Sequence, residues 1–192
     1  MANSPRIWTI GHSNLELEVF DRMLLDNGIE FVVDVRSYPY SGFVPHFDRE
    51  ALSAHLPKKG IRYLYLGGPL GGRPDSDDHY DDQGHALYGP MSREPEFIEA
   101  IKRLETGARE HRIAILCSCG KLEDCHRRLL VGKVLADHGV ELRHILKDSG
   151  VEVEREVQLD PGGQGSLFSE ESLWRSTQSV SHRQRLSTSS AG

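Results

Sequence analysis

All three cysteines of this sequence fall within residues 117–128, beside a histidine and two arginines. Cys117 and Cys119 come first, and Cys125, His126, Arg127 and Arg128 follow after a short polar link. Residue types of this kind support three chemistries. The first is anion binding: a helix opening near Asp124 would present unpaired N–H groups and a positive dipole end. Arg127 or Arg128 beside it, with Arg36 reaching across, suits a phosphate or carboxylate. The competing reading pairs these arginines with Asp34, Glu123 or Asp124 as structural ion pairs. The second chemistry is metal ligation by Cys117, Cys119, Cys125 and His126. Their spacing is not that of a zinc ribbon or finger, and adjacent Cys125 and His126 would point apart on a helix. No metal and no other cofactor is therefore expected. The third is a nucleophilic thiol, its pKa lowered by the neighbouring His and Arg. Neither Cys117 nor Cys119 has an arginine at the spacing of a phosphatase loop, and Cys117 reads more simply as a small buried apolar group.

Earlier residues add to this set. His12 is a candidate general base, because an unshifted imidazole titrates near neutrality; a loop-pinning hydrogen bond would account for it equally well. His12 and His126 are the candidate acid/base pair. Ser13, Arg36, Ser37, Cys125 and Arg127 are candidate ligands for a phosphate or substrate, and Asp34 is placed to orient Arg36 or His12. The acidic run at residues 75–82 lacks the ligand order of a calcium loop and reads as a solvated charge run. Gly67-Gly68 and Gly71-Gly72 permit close backbone approach, or a tight turn alone.

Five apolar runs must position these groups: residues 7–10, 31–35, 63–66, 113–116 and 142–146. Helical periodicity separates them. Leu15, Val19, Phe20, Met23 and Leu24 share one face behind a possible capping box of Ser13 and Glu16. A second pattern runs from Asp48 through Leu52 and Leu56 and ends at Gly60. A third repeats at Phe97, Ile98, Ile101 and Leu104. A fourth starts at Asp124, buries Leu129, Leu130, Val134 and Leu135, and stops at Gly139. This alternation predicts an α/β fold: a three-layer, mostly parallel five-stranded sheet with helices on both faces. Ligands of such sheets sit beyond the C-terminal strand ends, where His12, Arg36, the glycine pairs and the cysteines all fall.

Composition sets the outer limits. A chain of 192 residues suits one α/β domain over residues 1–150 and a tail over 151–192. The tail is rich in Ser, Gly and Gln and is expected to be disordered, in keeping with 38% hydrophobic content overall. Residues 67–91 are expected to form a long loop. Net charge is −6, so bulk electrostatics do not favour nucleic acid, and contact with phosphates needs a local cluster. No apolar run has membrane-spanning length, no signal core opens the chain, and the clustered odd cysteines are no secreted disulfide framework. A cytoplasmic protein with no membrane partner is expected.

The tail carries one sharper signal. Gln164, Leu167 and Phe168 stand in a polar stretch after Asp160-Pro161-Gly162-Gly163. Two large apolar residues on a tether suit a linear motif that docks into a partner's pocket. The segment 164–168 resembles the Gln-x-x-Leu-Phe peptide that binds the bacterial sliding clamp.

Taken in order, Thr9-Ile10-Gly11-His12-Ser13, Asp34-Val35-Arg36-Ser37-Tyr38-Pro39 with Ser41, Gly60-Ile61-Arg62-Tyr63, Leu66-Gly67-Gly68, and Cys117 with Cys125-His126-Arg127 resemble the bacterial domain-of-unknown-function family four-eighty-eight. The resemblance spans about residues 6–147. It implies an α/β domain without a settled activity, with His12, Ser13, Arg36, Ser37, Cys117, Cys125, His126 and Arg127 at its signature positions. Two positions depart from that pattern: Cys119 stands where a carboxylate is common, and Gly42 where a basic residue is. Together these readings make the expected function a DNA-associated hydrolase acting on a nucleotide or nucleic-acid phosphate or sugar. Its expected partners are a nucleotide or DNA and, through the tail, the sliding clamp. The alternatives are a non-catalytic module binding a nucleotide or modified base, and a thiol redox or metal-binding protein.

Overall fold

A computed structural model describes residues 4–147, 150–158 and 174–180. The proposed clamp-binding residues Gln164, Leu167 and Phe168 lie outside them. The strands form where the apolar runs predict: β1 Arg6–Gly11, β2 Phe31–Asp34, β3 Arg62–Tyr65, β4 Ile113–Cys117 and β5 Glu141–Ile145. All five are parallel, and β4, buried at every residue, is the kind of continuous apolar strand that a two-faced sheet requires. A sixth strand, β6 Val151–Glu154, adds antiparallel to β5, so the sheet order is β3-β2-β4-β1-β5-β6. This edge strand comes from residues that composition assigns to the disordered tail. Glu154, by accepting from Arg128 and His144, ties it to the body.

Two apolar layers flank the sheet. Trp8, Ile10, Val32, Ala114 and Leu116 face Phe20, Met23 and Leu24 of α1 (Leu17–Asp26), with Leu52 of α2 (Arg49–His55). Ile7, Val33, Ile113, Ile115 and Leu142 face the other side. There they meet Phe97, Ile101 and Leu104 of the long helix at Pro95–Gly107, and Leu129, Leu130 and Leu135 of the chain after β4. The two arrangements have a direct consequence for function. β1 leads to a helix on one face and its neighbour β4 to helical turns on the other, so their C-terminal ends part into a crevice.

Local details differ from the sequence expectations. The Ser13–Glu16 capping box does not form: Ser13 takes a positive φ of 44°, and Glu16 is itself the N-cap. Residues 67–91 are not one loop but contain the short helices α3 (Gly67–Leu70) and α4 (Tyr88–Met91), whose Leu70, Tyr88 and Met91 are buried. Pro95–Gly107 is α5. The helix expected from Asp124 opens as a π-helical turn, Arg127–Gly132, and becomes α-helical only at α6, Lys133–Asp137. Among the described residues, no helix is long and apolar enough to cross a membrane.

Candidate functional site

The crevice is a cleft of about 710 Å³ whose lining includes His12, Ser13, Arg36, Ser37, Cys117, Cys119 and His126. Register explains this gathering. Gly11 pairs with Cys117 and Asp34 with Leu116, so the residues just beyond β1, β2 and β4 meet at one edge. Ladder-like bonds continue past the strands, from His12 N to the Cys117 carbonyl and from Ser13 N to the Ser118 carbonyl.

One wall is a buried polar network. Arg36 grips Asp34 with a fork, Nε to Oδ1 at 2.8 Å and Nη2 to Oδ2 at 2.6 Å, and Tyr63 donates to the same carboxylate at 2.7 Å. The remaining Arg36 nitrogen, Nη1, donates to His12 Nε2 at 3.0 Å. His12 Nδ1 then carries the proton and donates to the Ser13 carbonyl, and the ring stacks on Phe47 at 4.3 Å. Burial and the Arg36 charge lower the His12 pKa to about 4. The imidazole is neutral at pH 7 and both its nitrogens are occupied. It holds Arg36 in place and offers no free lone pair to the cleft. Burial also pushes the Tyr63 phenol, beside the Asp34 carboxylate, far above its usual range.

The floor is the cysteine cluster. Cys117 Sγ lies 3.5 Å from Cys119 Sγ and 3.7 Å from His126 Nδ1. His126 donates from Nε2 to the Val35 carbonyl at 2.9 Å, which aims its other nitrogen at the sulfurs. Cys125 does not diverge from His126 as adjacent helix positions would. It sits before the π-helical turn, and its Sγ lies within 4.8 Å of both Cys117 Sγ and His126 Nδ1. Hydrogen bonds from Cys119 and Cys125, with the His126 charge, hold the Cys117 thiol well below its ordinary range. Burial works against charge on His126, but Cys117 outweighs it and the imidazole pKa is raised. The same sulfur pushes Cys119 up to about 11, while burial raises Cys125. In electrostatic terms the floor favours charge on Cys117 and His126 and disfavours it on Cys119 and Cys125.

The arginines divide. Arg36 follows the ion-pair reading. Arg128 does too, but with Glu154 rather than Glu123 or Asp124. Arg127 is buried beneath the cleft, lining a second hollow of about 310 Å³ with Gly11, Lys121 and His144. Its Nη1 donates to the Cys119 carbonyl and to Cys125 Sγ. Ser37 accepts from Arg73 N and so clamps the loop after α3. Of the expected site residues, then, the acid/base candidates His12 and His126 and the ligand candidates Ser13, Arg36 and Ser37 share the cleft, while Cys125 and Arg127 are buried outside its lining.

Several lining residues were not among the sequence candidates. Tyr38, Tyr40 and Phe43 line the cleft and are exposed, Phe43 at 99%. Arg73 and Lys121 add positive charge, and Ser176, Thr177, Gln178 and Val180 close one side. An exposed aromatic run after a strand end was visible in the sequence; the wall at 176–180 had no signal beyond Trp174.

A family model described as Domain of unknown function DUF488 matches residues 17–134. No curated protein and no solved structure matches this chain.

Proposed function

The chain belongs to the DUF488 family of unknown function, and from the chemistry of its cleft we propose that it is a DNA-associated hydrolase of nucleotides or nucleic acid. The observation that carries this reading is the pairing of opposites in one cleft: exposed aromatics at the rim and a thiol–imidazole cluster on the floor. A row of exposed aromatic faces costs solubility unless something stacks on it, and bases are the ligands that stack without regard to sequence. Arg73 and Lys121 supply the phosphate contacts that Arg36, held by Asp34 and His12, and Arg127, buried below the cleft, do not. The bond to be cleaved then lies over Cys117 and His126. His126 is the acid/base residue of this reading, and His12 is a positioning residue for Arg36. Recruitment to the sliding clamp through Gln164, Leu167 and Phe168 completes the proposal and rests on the likeness of that peptide alone.

Turnover of nucleotides and of single-stranded or damaged DNA by the full chain tests it. A double variant Tyr40→Ala/Phe43→Ala is expected to weaken binding about tenfold or more, since each base–aromatic stack contributes about 1–3 kcal/mol. Normal binding with no turnover of any of these substrates would reduce the protein to a binding module. Clamp pull-down with Leu167→Ala/Phe168→Ala tests the tail, and unchanged recovery would end the recruitment idea.

A further inference from the structure

We propose that Cys117, Cys125 and His126, with Cys119 as the neighbouring fourth sulfur, form a site for a thiophilic divalent cation, zinc in the first instance. Ligand separations carry the argument. Zn–S bonds of about 2.3 Å and Zn–N bonds of about 2.0–2.1 Å in a tetrahedron set S···S edges near about 3.8 Å and S···N edges near about 3.5 Å. Cys117 Sγ has Cys119 Sγ at 3.5 Å and His126 Nδ1 at 3.7 Å. The ligand atoms of Cys117, Cys125 and His126 all lie within 4.8 Å of one another. Cys119 stands outside that mutually close set; its Sγ adjoins Cys117 Sγ and must turn inward to supply a fourth ligand.

The surroundings are those of a metal site. A metal-binding imidazole characteristically gives its other N–H to a carbonyl or carboxylate, which fixes ring and tautomer. His126 does this with the Val35 carbonyl. Arg127 Nη1 donates to Cys125 Sγ, the kind of N–H···S contact that steadies a bound thiolate. The backbone makes room for the ring at Gly72, where a Cβ would stand 2.6 Å from His126 Cγ. Hard cations are poorly served by three sulfurs and one nitrogen, whereas zinc suits them.

Cys119 is the sulfur with a path to solvent. Cys117 and Cys125 are buried, while Cys119 is partly exposed and lines the cleft. Exchange of its sulfur for water would put a polarised water at the cleft floor. That step rests on the hydrolase reading; the site itself does not. It would pass the acid/base role to that water from His126, whose Nδ1 then holds the metal and whose Nε2 is bonded to Val35.

The test needs no substrate. Full-length chain, untagged and purified under reducing conditions with zinc present, is analysed for metals after exhaustive dialysis. About one zinc per chain is expected, as for a closed thiolate-rich site. Cobalt(II) exchanged into the site is expected to show a thiolate charge-transfer band and intense tetrahedral d–d bands. Cys125→Ser and His126→Ala are expected to lose the metal, and Cys119→Ser to keep it with affinity lower by about 10–100-fold. Because the first two variants could misfold, the deciding measurement is on the unaltered chain. A folded chain that holds less than about a tenth of an equivalent and shows no cobalt–thiolate band overturns the proposal. Zinc binding without turnover leaves the site standing and removes the hydrolase. Turnover by a chain with no metal does the reverse.

Discussion

Arg36 controls the electrostatics of the cleft although it does not face it freely. Its fork neutralises Asp34, which is fully buried, and its last nitrogen fixes the His12 ring. Arg36→Ala leaves a buried carboxylate with the Tyr63 hydroxyl and a backbone N–H, and breaking a buried pair in this way costs about 3–5 kcal/mol. Arg36→Lys keeps the charge and loses the fork, so it is expected to recover only part of that loss. Urea denaturation of both variants measures this, and wild-type stability in Arg36→Ala would show that the pair contributes nothing. Gly72 makes the complementary case for shape. A methyl group there would meet His126 Cβ, Cγ and Nδ1 at 2.6–2.9 Å. Gly72→Ala is therefore expected to shift the His126 ring, seen as moved ring nitrogen signals in NMR, at a stability cost of about 1–3 kcal/mol. Unmoved His126 signals would mean that the loop yields instead of the ring.

At the scale of elements, the edge strand β6 is held by charge more than by apolar burial. Val151 and Val153 are exposed, and Glu154 accepts from Arg128 at 2.7 Å and from His144 at 2.9 Å. His144 is buried on β5, with Thr9 donating to its Nδ1, and burial lowers its pKa despite Glu154. The unfolded chain therefore binds a proton more readily than the folded one just below pH 6.5, and stability falls as pH falls through that value. Glu154→Gln removes the group that lifts the His144 pKa. It is expected to cost about 1–2 kcal/mol at pH 7 and to deepen the loss between pH 7 and 5. Parallel pH–stability curves for variant and wild type would refute the coupling. The sequence makes β1, β2, β4 and β5 legible because they bury both faces and so read as apolar runs, whereas β3, half-buried at the sheet edge, is legible from Tyr63, Leu64 and Tyr65. β6 is illegible for the opposite reason: Val-Glu-Val-Glu at a solvated edge has the composition of a tail. His12, Arg36, Ser37 and His126 are legible as a site because parallel topology sends strand ends to one rim. What each of them bonds is not, since the Arg36–His12 and Cys117–His126 contacts depend on partners far apart in sequence.

The whole molecule builds its cleft from both sides of the family match. Residues 17–134 supply the aromatic rim, the cysteine floor and α5. His12 and Ser13 precede that span, and Ser176, Thr177, Gln178 and Val180 follow it, yet all line the same cleft. The late segment is pinned at one point above all. Trp174 donates from Nε1 to the Leu129 carbonyl at 2.6 Å and meets Tyr88 edge-on at 6.4 Å. Beyond it, Ser176 N donates to the Ala86 carbonyl, Ser176 Oγ accepts from Ala86 N, and Val180 N donates to the Gly84 carbonyl. Leu129 belongs to the π-helical turn that follows Cys125 and His126, so the wall and the floor share a support. Trp174→Ala removes the pin from a partly buried position, and a cost of about 2–3 kcal/mol is expected, below that of a fully enclosed aromatic. The wall residues lose their anchor with it. Hydrogen exchange at Ala86 and Ser176 is accordingly expected to accelerate more than exchange in β4, whose protection comes from the sheet centre. Uniform acceleration across β4 and the wall would mean that Trp174 stabilises the molecule as a whole and has no particular hold on the cleft.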